Sequence, residues 1–78
     1  MKSLHATEYQ KFLDYMVAAR KESGFTQQQL AERLGKPQSF VSKYESGERR
    51  LDILEFLDVC KVLSVSPVSI IERLECAR

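Results

Sequence analysis

The chain has 78 residues, 44% hydrophobic and 29% charged, with a formal net charge of +1. That length holds one domain, and the balance is that of a folded soluble chain, neither disordered nor membrane-spanning. Two cysteines (Cys60 and Cys76), one histidine (His5) and three isolated glycines exclude a disulfide scaffold, a four-ligand zinc site and a glycine-rich phosphate loop.

Helix signals follow one another along the chain. The first helix is expected over about 7–22, with Thr7 and Gln10 at capping-box spacing and Tyr9, Phe12, Leu13 and Met16 on one stripe. Gly24 stops it. Thr26 with Gln29 opens a second helix over 26–34, and Gly35 closes it. A third is expected over 38–46, separated by Pro37, which holds Lys36 extended, and ended by Gly47. Asp52 with Glu55 starts a fourth over 52–63, apolar on most sides and therefore expected at the centre of packing. Ser66-Pro67 starts a fifth over 66–75, proline taking the first position, where no N–H is needed. Phe25/Leu30, Leu51/Phe56 and Val65/Ile70 are spaced as hydrophobic staples. Strand and hairpin signals are absent, so the fold class is all-α, a bundle with short loops.

The second and third helices, joined by a turn at Gly35, make a helix-turn-helix over about 27–46. Ala31 is small where a second helix must approach, with Leu30 and Leu34 beside it. Helical spacing puts Phe40, Val41 and Tyr44 on one side of the third helix and Gln38, Ser39, Ser42, Lys43 and Ser46 on the other. Amide, hydroxyl and ammonium groups suit the base edges of a major groove. Charge points the same way: residues 20–50 carry seven positive and four negative charges, whereas residues 51–78 carry three and five.

These segments, Thr26-Gln27-Gln28-Gln29-Leu30-Ala31-Glu32-Arg33-Leu34-Gly35 and Gln38-Ser39-Phe40-Val41-Ser42-Lys43-Tyr44-Glu45-Ser46-Gly47, resemble the Cro/lambda-repressor (XRE) helix-turn-helix family. The likeness runs from about Phe12 to Ile71 and includes Leu63-Ser64-Val65-Ser66-Pro67. It implies a compact five-helix lambda-repressor-like domain that binds double-stranded DNA with its third helix in the major groove. By this likeness Gln27 contacts phosphate and braces Gln38, with Gln28 beside it on the DNA side. Gln38, Ser39, Ser42 and Lys43 face the bases, with Ser46 at the end of that face, and Arg49 and Arg50 approach the backbone. Glu45 pairs with Arg20 at the end of the first helix. Two positions depart from the family pattern. Ser64 stands where glycine is usual, and Pro37 where a capping serine or threonine is common.

The whole of 1–78 is expected to form this one domain, a transcriptional regulator acting as a homodimer on a palindromic operator. Val68, Ile71 and Leu74, with Ile70 adjoining, form an apolar stripe on the fifth helix that would serve as the dimer interface. No catalytic residue, metal site or cofactor is expected, and the lone His5 is a poor general base. The first residues after Lys2 hold no apolar stretch of signal-peptide kind, so the expected location is the cytoplasm, on the nucleoid through DNA. The alternative from another class is an antitoxin-like module that neutralises a protein partner. About seven residues before the first helix and none after the fifth leave little for such a partner or for an effector-sensing domain. The size resembles restriction–modification controllers and small phage-type repressors alike.

Overall fold

The computed structural model describes residues 6–77; His5 lies outside them. Five helices follow in order: α1 (Ala6–Glu22), α2 (Gln27–Leu34), α3 (Gln38–Ser46), α4 (Ile53–Leu63) and α5 (Pro67–Cys76). Among the described residues there is no strand, and no helix is long and apolar enough to cross a membrane.

Local chemistry sets most boundaries. The Thr26 hydroxyl accepts from Gln29 N at 3.0 Å while Gln29 Oε1 accepts from Thr26 N at 2.9 Å. Asp52 and Glu55 repeat the exchange at 2.8 and 3.0 Å, and the Ser66 hydroxyl accepts from Ser69 N. Each cap satisfies N–H groups that have no partner inside the helix. Pro37 gives α3 no such bond. Thr7 is not a cap, because α1 already includes Ala6.

Packing joins all five helices around one apolar cluster. Leu13 and Met16 of α1, Leu30 and Ala31 of α2, and Val41 and Tyr44 of α3 are buried. They meet Phe56, Val59, Cys60 and Leu63 of α4 and Ile70 of α5. The Tyr44 hydroxyl is buried without a hydrogen-bond partner, a desolvation cost of about 1–3 kcal/mol that the ring's burial must offset. Burial also pushes the phenol's pKa well up. Cys60 is wholly buried and its thiol is pushed up to about 11 by desolvation, whereas Cys76 is exposed.

α4 contributes four residues to the core, as its apolar composition predicts, but that composition extends beyond what the core covers. Phe56, Val59, Cys60 and Leu63 face the core, but Ile53, Leu54 and Leu57 are 61%, 68% and 41% exposed. The side toward α1, α2 and α5 is covered, with the Phe12 and Phe56 ring centroids 5.4 Å apart, and the helix keeps an apolar outer strip.

Ser64 ends α4 in the left-handed region, at φ 58° and ψ 39°, the one described non-glycine residue with positive φ. A side chain there costs roughly 1–2 kcal/mol, while glycine's greater loss of chain entropy on folding costs about 0.5–1 kcal/mol. Ser64→Gly is therefore expected to stabilise by about 0.5–1 kcal/mol, raising the thermal midpoint by about 4 °C. A midpoint at or below that of the parent would refute this account of the turn.

Candidate nucleic-acid interface

The junction of α2 and α3 is built from three residues. Gly35 turns the chain at φ 70°, Lys36 N donates to Ala31 O at 2.9 Å, and the Pro37 carbonyl accepts from Phe40 N. Leu30, Ala31, Val41 and Tyr44 are buried between the helices and the rest of the core. The opposite side of α3 presents Gln38, Ser39, Lys43 and Ser46, all exposed, with Ser42 half-buried. Backed by the core, this surface is held as a rigid ridge.

One carboxylate anchors the last turn of α3. Glu45 Oε2 accepts from Arg20 Nε at 2.7 Å, and Oε1 accepts from Arg20 Nη2 at 3.1 Å and from Gln27 Nε2 at 2.9 Å. Arg20 Nη1 donates to Phe25 O at 2.8 Å. The two charged side chains are only 10% and 6% exposed, and hydrogen bonding to Glu45 raises the pKa of Arg20 further. The end of α1, the turn before α2, the start of α2 and α3 are thereby tied at one point.

The remaining site residues differ in what holds them. Gln27 gives one amide N–H to Glu45, which leaves its second N–H and its Oε1 for other partners. Gln28 is exposed on α2. The Ser42 hydroxyl donates to Ser39 O, and that of Ser46 donates to Lys43 O while accepting from Glu48 N. Ser46 thus helps terminate α3. Lys43 lies 3.9 Å from Glu48 with both side chains more than half exposed, a weak pair that an incoming nucleic acid can displace. The Arg50 guanidinium lies over the Tyr9 ring at 4.3 Å. Arg49, 41% exposed, is instead paired to Glu55, with N–O distances of 2.9 and 2.7 Å.

On α5, Val68 and Ile71 are 61% and 48% exposed and Leu74 is half-buried. Ile70 does not belong to that surface. At 5% exposure it is part of the core cluster, because 100° per residue sets it about 200° round the helix from Val68. Beside Ile71 runs an apolar groove walled by Phe12, Leu51, Ile53, Phe56 and Leu74, with Asp52 at its edge.

Two features escaped the sequence reading. The outer apolar strip of α4 shows only once its neighbours are in place. The Arg49–Glu55 pair crosses a loop at a spacing of six residues, which no helical period marks.

A short helix with a polar outer face, set by a tight turn on a second helix and locked by a buried ion pair, defines a DNA-binding helix-turn-helix domain. The helix-turn-helix family model matches residues 17–70, and the chain belongs to that family, in its XRE type. Among solved structures, an XRE-family like protein from Pseudomonas syringae pv. tomato str. DC3000 is 47% identical, with a TM-score of 0.90. The match covers 95% of this chain and 90% of that one. Among curated proteins no sequence matched. The fold is accordingly all-α and lambda-repressor-like, and the protein is a DNA-binding regulator.

Proposed function

We propose that the protein is a sequence-specific transcriptional regulator that binds a palindromic operator as a homodimer, with α3 in the major groove. The observation that carries this reading is the outer face of α3, where exposed amide, hydroxyl and ammonium groups stand on a helix anchored from behind by Glu45. Gln38, Ser39, Ser42 and Lys43 read base edges; Gln27, Gln28 and Arg50 lie toward the phosphates, and Ser46 closes the ridge. DNA selected from a random pool by the purified protein and then sequenced tests this directly. The expected product is a two-fold symmetric motif with half-sites about 34–36 Å apart; recovery of unselected sequence would refute it.

One recognition helix spans too few base pairs for useful selectivity, which favours pairing of two copies. Val68 and Ile71 on α5, with Leu74 and the exposed Ile53 of α4 lining the groove beside Ile71, supply the apolar surface for it. Ile71→Glu places a charge in that surface and is expected to convert a dimer into a monomer. Sedimentation at tens of micromolar checks it. A parent protein already monomeric there, with a mass unaffected by the substitution, would remove the dimer from the proposal.

A further inference from the structure

Phe40 stands in the first turn of α3, half-buried, its ring edge-on to that of Tyr44 with centroids 5.8 Å apart. The Arg49 guanidinium lies over the same ring, 4.7 Å from its centroid. Its edges are engaged as well. Nη1 and Nη2 donate to Glu55 Oε1 and Oε2 at 2.9 and 2.7 Å, and Nη1 also donates to Arg50 O at 3.0 Å. The Arg49 backbone N–H is held by Lys43 O at 3.1 Å. Glu55 is itself fixed, since Oε1 accepts from Asp52 N in the α4 capping box. The Arg49 hydrogen bonds, with that cap, hold the Glu55 carboxyl down at about 2. One guanidinium therefore touches α3 through an aromatic face, the loop before α4 through a carbonyl, and α4 through a carboxylate.

We propose that Arg49 is a positioning residue and not a DNA contact: with Phe40 and Glu55 it clamps the first turn of α3 and the 47–52 loop onto the start of α4. The clamp fixes the attitude at which Gln38 and Ser39 are presented and leaves Arg50 as the loop's phosphate contact. This last consequence rests on the DNA-binding reading; the clamp itself does not. Isolated exposed ion pairs contribute little. This one is bidentate, stacked on a ring and built into a helix cap, a combination that needs the flat fork of arginine and that lysine cannot reproduce.

Arg49→Lys, Glu55→Gln, their combination, Arg49→Met and Arg50→Met separate the roles. Glutamine at position 55 can still close the capping box, so Glu55→Gln isolates the loss of the charged partner. Without DNA, Arg49→Lys and Glu55→Gln are each expected to raise amide hydrogen exchange in α3 and the 47–52 loop by about tenfold, and the double variant no further, as coupled partners do. With duplex DNA, Arg49→Met, which removes the charge that Arg49→Lys keeps, is expected to weaken binding several-fold while leaving the slope of log affinity against log salt unchanged. Arg50→Met flattens that slope and leaves exchange as in the parent. Additive effects, or exchange unchanged by either substitution, would overturn the clamp. A slope flattened by Arg49→Met as much as by Arg50→Met would show that Arg49 meets phosphate, and would overturn the assignment. If the parent binds no DNA at any salt concentration, the DNA-binding reading falls, and the exchange data alone then decide for or against the clamp.

Discussion

Glu45→Ala should lower the stability of the domain by about 3 kcal/mol, the scale on which buried ion pairs respond to losing one member. The substitution leaves the Arg20 guanidinium enclosed with only the Phe25 carbonyl as acceptor, and takes from Gln27 the acceptor of its amide. A domain of this size has only roughly 4–12 kcal/mol in all, so the expected fall in thermal midpoint is about 15 °C. The double variant Arg20→Met with Glu45→Met should recover much of the loss, because it removes both charges from a site 10% and 6% exposed instead of stranding one. Thermal unfolding of the two variants beside the parent checks both statements. Glu45→Ala melting with the parent would mean that the pair holds nothing in place.

On DNA the largest effects are expected at Gln38 and Lys43. Glutamine can bond adenine N6 and N7, and lysine can donate to guanine O6 and N7, each contact worth about 1–3 kcal/mol of discrimination. In a dimer every substitution occurs twice, so Lys43→Ala or Gln38→Ala should cost about 2–6 kcal/mol of preference for the operator over scrambled DNA. The loss should be confined to one or two symmetric base positions. Gln38, at the start of α3, belongs where a recognition helix enters the groove most deeply. Arg50→Ala should instead weaken all sequences alike and reduce the salt slope by about one ion per subunit. Titrations on both DNAs at several salt concentrations decide between the patterns. Base preference that shifts with Arg50→Ala but not with Gln38→Ala or Lys43→Ala would reverse the roles.

What the sequence made legible is what neighbouring residues decide among themselves. Thr26, Asp52 and Ser66 are caps because a side chain three residues away meets its partner whatever the rest of the chain does. Gly35 and Gly47 end helices because the left-handed turn is a local matter. Thr7 shows the limit: the same spacing also occurs inside a helix, where it caps nothing. The exposed strip of α4 and the inward turn of Ile70 depend on the phase at which helices meet, and apolar composition alone does not carry phase. The Arg20–Glu45 pairing spans 25 residues and two turns; it was approachable through family likeness, not through any period. Arg49 and Arg50 are adjacent and chemically identical, and only the positions of α1, α3 and α4 separate their surroundings.

The two thiols give the molecule an internal clock. Cys60 is enclosed by the core, with its thiol held at about 11, and Cys76 lies in the open. An alkylating reagent reaches the exposed Cys76 from solvent without any opening of the fold, and that reaction serves as the reference. Cys60 reacts only in the fraction of time that α4 is uncovered, so the ratio of the two rates reads the opening equilibrium under native conditions. Peptide-resolved mass spectra of partly alkylated protein thus report how often the core around Cys60, behind the recognition helix, comes open, with no denaturant.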